Sequence, residues 1–297
     1  MKKIVLCIVV FSALCLVFAD VSQVKEKADQ MDENGSFAAE KDLLLEQVVK
    51  TSDRKLRAEL YWRLSRAYLN IGEDYKSKGM SKDHLLPYYK QGEQYADMAI
   101  ENDSQNPDGY FWKAVNIGTW GNTKGMIEAL GNAGPMKDHL EQALLRDPNH
   151  ADSYFVLCQL FTQAPGWPVS FGNVDYAVSF GRKAVSLLEK DLASGAQSVP
   201  QYGYYTALAS ALWNRNWDIN KRLTERTKKQ REYTAKSNPL EKNSFFECQV
   251  TLKPMSDRME AREILQWVID EIGKIPDKNY FQKKDLAEAL KKKAEWK

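Results

Sequence analysis

Apolar residues recur at three- and four-residue intervals through most of the chain, the period of amphipathic helices. Tyr61, Leu64, Ser65 and Tyr68 place an aromatic, an aliphatic, a small residue and a second aromatic along one helical face. The same spacing returns at Tyr154, Leu157, Cys158 and Phe161, and at Tyr205, Leu208, Ala209 and Leu212. Tyr110, Ala114 and Ile117 form a weaker copy, with Lys113 where Leu is expected. A companion pattern follows: Ala99 to Asp103 precedes Asn106-Pro107, and Ala143 to Asp147 precedes Pro148-Asn149. Antiparallel helix pairs need such an alternation. Large residues fill holes in the partner helix, and the small ones (Ser65, Ala114, Cys158, Ala209) let the axes approach. Proline then stops one helix and starts the next. The pattern predicts about four helix pairs over residues 40 to 220.

Three stretches interrupt it. Lys76 to Ser81 lengthens the first unit. Gly118 to Pro135 scatters five glycines around a short helical piece, Ile127 to Leu130. Ala164 to Asn173 contains Pro165-Gly166-Trp167-Pro168, which cannot continue a helix. These read as loops inserted on one face of a repeat array. Asn173 is the expected N-cap of the helix that begins at Asp175. Past residue 220 the chain stays helical but leaves the repeat. Ile219 to Ala235 is a charged amphipathic segment. Met259, Ile264, Trp267, Val268 and Ile272 mark one face of the next helix, and Phe281 to Trp296 closes the chain. Ser244 to Leu252 is the only strand candidate.

The N-terminus changes the picture. Met1-Lys2-Lys3, an apolar run from Ile4 to Phe18 and Val17-Phe18-Ala19 follow the pattern of a secretory leader cleaved after Ala19. The expected organisation is a signal peptide over 1–19, a repeat array over 20–220 and a helical region over 221–297. The full chain carries 42 basic and 40 acidic residues, and removal of Lys2 and Lys3 leaves 40 of each. No net field draws it to nucleic acid. The mature chain keeps Cys158 and Cys248, too few for a disulfide scaffold and without motif spacing.

Catalytic chemistry is not legible. His84, His139 and His150 show no helical metal-site spacing, and His150 reads as a solvent-facing turn residue. No G-x-S-x-G, phosphate-loop lysine or C-x-x-C pair occurs. No cofactor or metal is expected, and no nucleophile, base and orienting group can be named together, so the reading is non-enzymatic. The candidate binding residues are the aromatics and amides of the inserts and of one late helix: Trp112, Asn116, Trp120, Trp167, Phe171, Asn173, Trp213 and Asn214. Trp167 and Phe171 either wall a groove beside Trp112, Asn116 and Trp120 or fold back over the core. Trp213 and Trp217, four apart, face the same choice, and Asn214 suggests a groove edge.

The aromatic–small–aromatic spacing resembles the tetratricopeptide repeat, W-x2-L-G-x2-Y followed by A-x3-F-x2-A and P. The stretches Asn116 to Gly121, Met136 to Ala151, Pro165 to Pro168 and Ser170 to Asn173 are similar to the T component associated with bacterial TRAP-type transporters. Eukaryotic regulators of microtubule dynamics show a similar insert, so the motif marks a structural subtype before it marks a function. The resemblance covers roughly residues 55 to 215. It implies an all-α, tetratricopeptide-like helical-hairpin solenoid with long inserted loops and a C-terminal helical cap. It also implies an exported, non-catalytic adaptor, periplasmic or secreted. The adaptor's partner would be a solute-binding receptor, and its ligand a small apolar molecule. Members of that group are commonly lipid-anchored; here Leu14 before Cys15 departs from the usual lipobox, and membrane contact would require lipid at Cys15. The alternative is a structural cell-envelope assembly protein that joins partners without a ligand, and a hydrolase with an unrecognised site is a third reading.

Overall fold

The computed structural model describes residues 21–296. The expected leader, its cleavage after Ala19 and the lipid site at Cys15 lie outside the described residues. The chain is all-α. Its helices are α1 (21–33), α2 (Phe37–Lys50), α3 (Arg54–Ser77), α4 (Lys82–Asn102), α5 (Pro107–Lys124), α6 (Met126–Arg146) and α7 (Ala151–Gln163). They continue with α8 (Val174–Ser194), α9 (Tyr202–Arg215), α10 (Ile219–Ala235), α11 (Pro239–Asn243), α12 (Asp257–Gly273) and α13 (Tyr280–Glu295). No strand occurs among the described residues, and the candidate at 244–252 holds a 3-10 turn, Phe246–Gln249.

Side-chain caps set many of the boundaries. Asp53 accepts from Leu56 N at 2.9 Å, and Asn106 accepts from Asp108 N ahead of a helix whose first residue is Pro107. Asn279 and Gln282 form a reciprocal capping box at α13. Asn173 caps α8 as expected, its Oδ1 accepting from Asp175 N and Tyr176 N. His150 differs from expectation. It is buried and caps α7, its ring nitrogen accepting from Ser153 N at 3.3 Å. The glycine-rich interruption also differs. Gly118 and Gly121 lie inside α5, and Gly131, Gly134 and Pro135 lie inside α6. Only Gly125, at φ 154°, separates the two helices, because α5 uses its small residues for packing.

The chain divides into two compact units, the first ending at Ala129 and the second beginning at Leu130. In the first, α2, α3, α4 and α5 pack in sequence order, and α3 also meets α5. Leu44, Leu60, Leu64 and Ala99 are fully or almost fully buried around Tyr61 and Trp62. Asn116 is wholly buried at this seam. Its Nδ2 donates to Ser65 Oγ and to the Trp112 carbonyl, both at 2.9 Å. Its Oδ1 sits against Gly92, where a Cβ would collide with it. The amide thus joins α3, α4 and α5 at a point where only a glycine fits. Arg63 and Arg66 of α3 hold α1 and α2 through Asp29 and Glu40, with Arg66 Nη2 2.6 Å from Glu40 Oε1.

In the second unit α7, α8 and α9 pack consecutively. Cys158 and Phe180 are fully buried there, and both Cys158 and Cys248 are free thiols. Sequence order then breaks. The next helix on α9 is α12, with α13 on α12, while α10 packs against the 3-10 turn and α11. The reason is a buried lattice of charge. Arg215 of α9 is fully buried, with Nε 2.8 Å from Asp257 Oδ2 and Nη1 2.6 Å from Glu247 Oε2. Lys229 of α10 reaches Glu247 at 2.6 Å and Asp175 at 2.5 Å. Arg222 of α10 and Arg182 of α8 both bind Glu260, at 2.5 and 2.7 Å. Four cations meet four carboxylates, so no net charge is buried. The indole of Trp217 covers Arg215 at 4.3 Å. Arg222 and Lys229, seven apart, form the buried face of α10.

Burial alone would raise the pKa of Glu247, but the hydrogen bonds and charge of Arg215, with Lys229 and Arg182, hold it well below the usual carboxylate range. A depressed carboxylate stabilises the fold above its unfolded value, near 4.5. That contribution disappears as pH falls from there through the folded value. Glu247→Gln should therefore lower the unfolding free energy by about 3 kcal/mol or more near neutral pH. It should also flatten the acid limb of the stability profile, measured by denaturant titration at several pH values. Gly92→Ala should cost about 1–3 kcal/mol by forcing Asn116 out of place, read from the same titration.

Candidate functional site

In α3, Tyr61, Tyr68 and Tyr75 follow one another at seven-residue spacing, so they stay on nearly one face. Tyr88 and Tyr95 do the same on α4, with His84 one turn before Tyr88. The two helices pack together, and the antiparallel pairing meshes the rows. Tyr61 stacks on Tyr95 at 6.1 Å, and Tyr95 on Tyr68 at 5.2 Å. Tyr88 approaches Tyr68 at 6.5 Å and Tyr75 edge-on at 5.3 Å, and His84 lies 5.2 Å from Tyr75. Six rings form one ladder. Tyr61 is buried, the next four are half-buried and His84 is exposed. Burial pushes Tyr68, Tyr88 and Tyr95 above the ordinary phenol value, so these three hydroxyls stay protonated at physiological pH. Rigid rings with hydroxyl edges give large contact area at little entropic loss, the chemistry of a protein-binding surface.

Trp112 and Trp120 lie on α5 in the same unit. Both are half-buried against Leu69, Leu85 and Tyr89, and Trp112 also meets Tyr61's cluster. Lys124 lies over the Trp120 ring at 5.5 Å. Asn116 is structural in the sense already given. Asn116 is thus enclosed, while the two indoles stay partly open to solvent.

The other expected residues belong to the second unit. The loop after α7 is closed by its own backbone. Gly172 N donates to Pro165 O at 2.9 Å, and Asn173 N donates to Phe161 O at 3.1 Å. A Cβ at Gly172 would strike the Ala164 carbonyl. Phe171 folds back, 5.0 Å from Phe161, with Lys137 over its ring at 5.5 Å. It lines a cleft of about 370 Å³ with Phe161, Tyr176, Phe180, Leu240 and Phe245, rimmed by Lys137, Lys236, Glu232 and Glu241. Trp167 is not in that lining. It stands 89% exposed at the loop tip, beside a cis bond to Pro168. The choice between groove wall and plug therefore splits: Phe171 is inside and Trp167 is outside. Trp213 stacks on Trp296 at 4.6 Å, with Arg258 and Arg262 over its ring at 4.6 and 5.2 Å, and Asn214 beside it is exposed.

Tyr75, Tyr88, Tyr95 and His84 were missed as site residues although their heptad spacing is readable. Tyr176 lies at the start of α8, just past the loop, whereas Leu240 and Phe245 carry no such signal, because the segment at α11 reaches the cleft from far along the chain. Among the described residues no cluster of His, Cys, Asp or Glu is arranged to hold a metal ion.

A helical protein whose hairpins present an aromatic surface is the class defined by this geometry. The comparisons refine it. A family model described as regulator of microtubule dynamics protein 1-3 matches residues 24–161, just under half of the chain. The chain is similar to regulator of microtubule dynamics protein 1 of Bos taurus, 27% identical over 165 residues, covering 54% of this chain and 50% of the relative. The Pongo abelii protein of the same name is 29% identical over 150 residues, covering 50% and 45%. Regulator of microtubule dynamics protein 3 of Bos taurus is 25% identical over 141 residues, covering 46% and 28%. The chain thus spans about half the length, or less, of these curated relatives.

These matches overturn the resemblance to a tetratricopeptide T component of TRAP-type transporters. With it go the periplasmic or secreted setting, the solute-binding receptor and small apolar ligand as partners, and the transport-adaptor function; the cell-envelope assembly alternative gains no support. The physical reason is that small residues facing large ones at helical spacing satisfy any stack of antiparallel helices, so the pattern reports packing and not ancestry.

The two loop aromatics should respond differently to truncation. Trp167→Ala should leave stability within about 0.5 kcal/mol. Phe171→Ala, which empties a contact with Phe161, should cost about 2 kcal/mol. Parallel thermal and denaturant melts check both.

Proposed function

We propose that the chain acts as a non-catalytic, helical protein-interaction module in the control of microtubule assembly, with the tyrosine ladder of α3 and α4 as its contact surface. The observation that carries the reading is the coincidence of the family match with this surface. Residues 24–161 enclose all six rings of the ladder. The relatives' names speak of regulating microtubule dynamics, and contact is the means the geometry favours. Tyrosine is enriched among residues that dominate binding energy, and ring stacking holds these side chains in place before a partner arrives.

Purified full chain added to assembling tubulin should change the rate of polymer growth or shortening, followed by turbidity and by microscopy of single filaments. The double variant Tyr68→Ala/Tyr88→Ala should weaken co-sedimentation with the polymer at least about tenfold. Tyr68→Phe/Tyr88→Phe, which keeps the rings, should retain most of it. Identical assembly with and without the chain, together with no co-sedimentation, would sink the proposal.

A further inference from the structure

The second unit carries a surface that the family match does not reach. Trp213 of α9 and Trp296 at the end of α13 lie face to face, 4.6 Å apart and 3° from parallel. Arg258 and Arg262 of α12, one helical turn apart, lie over the Trp213 ring. Arg262 also donates from Nη2 to the Trp296 carbonyl at 3.2 Å. An adjoining cleft of about 450 Å³ between α12 and α13 is lined by Arg262, Glu263, Leu265, Gln266, Lys293 and Trp296, and its one carboxylate, Glu263, is paired with Lys253.

The charges around it sort into two groups. Lys253 pairs with Glu263 at 2.8 Å, Lys292 with Glu288 at 3.4 Å and Lys291 with Glu295 at 4.0 Å. Arg258, Arg262 and Lys293 have no carboxylate partner among the described residues, and all three are exposed. Lys293 is held by Gln266 Oε1 at 2.5 Å. A protein that neutralises its neighbouring cations yet leaves three together beside a stacked indole pair has a local excess of positive charge. The ring faces hold the two guanidinium planes in place while the groups stay open to solvent.

We propose that this cradle binds a carboxylate-rich, extended peptide segment of a partner protein. The cations come from two helices, Arg258 and Arg262 from α12 and Lys293 from α13, so they offer more than one contact point. Arg258 and Arg262 are four residues apart on α12, about 6 Å along its axis. Carboxylates on alternate residues of an extended chain are about 6.8 Å apart, so successive acidic side chains meet successive arginines. The site consists of residues outside 24–161 and stands or falls independently of the tyrosine ladder.

The test uses the full chain and a labelled, acetylated peptide of alternating Glu and Ser, about twelve residues long so that it spans the cleft when extended. Fluorescence anisotropy should show saturable binding at about 20 mM salt that weakens steeply by about 200 mM. The same peptide with Gln for Glu should not bind. Arg258→Gln/Arg262→Gln should weaken binding at least about tenfold with an unchanged melting profile, since both side chains are exposed. Absence of binding at low salt, equal binding of the Gln peptide, or an unaffected double variant would each overturn the proposal. So would a phosphoserine peptide that binds where the Glu peptide does not.

Discussion

Arg215 cannot be left in the interior without its counter-charges. A fully buried guanidinium is tolerated only when carboxylates surround it at hydrogen-bond distance. Glu247 from the 3-10 turn and Asp257 at the head of α12 do so here, and Asp175 approaches from α8. This requirement explains the arrangement of the C-terminal third. α10 must present Arg222 and Lys229 inward to complete the balance, and α12 must reach α9 past two intervening helices. A hydrophobic seam of equal area would tolerate sliding; paired charges with fixed geometry do not. The network therefore specifies one docking of α10 and α12.

The helical class was legible because aromatic and small residues alternate at helical spacing, and the same positions are buried: Leu64, Ser65, Cys158 and Ala209 are all fully inside. The N-cap at Asn173 was equally plain, since a short polar side chain before Asp175-Tyr176 has one favourable use there. Two signals misled. Glycine and proline between 118 and 135 suggested a loop, whereas Gly118 and Gly121 are buried within α5, and Gly131, Gly134 and Pro135 are absorbed by α6. The lysines and arginines of 221–236 mark a charged amphipathic segment without showing which of them turn inward. Charge counts alone cannot reveal that Arg222 and Lys229 meet Glu260 and Glu247 across tens of residues. His150 misled for a related reason: a turn residue can cap a helix and be enclosed by it.

Of the candidate binding residues, the structure separates those beneath a surface from those on one. Asn116 is enclosed in the first unit, and Trp112 and Trp120 pack half-buried against its core. Phe171 lines a cleft, Trp167 projects, and Trp213 anchors a charged edge. The ladder itself escaped notice because each tyrosine, read singly, is a packing residue; its character arises from the register between α3 and α4. The family match covers the ladder and stops at α7, so the charge lattice and the cradle at Trp213 lie in a region that the family model does not cover.

The two enclosed thiols have a practical consequence. Burial pushes the Cys158 thiol up to about 12, and Cys248 is only 3% exposed. Both belong to the second unit. An alkylating reagent reacts with thiolate, so neither is reactive while that unit stays closed. With Cys7 and Cys15 replaced by serine, labelling kinetics would clock the opening of the second unit alone, a native chemical stopwatch for one half of the molecule.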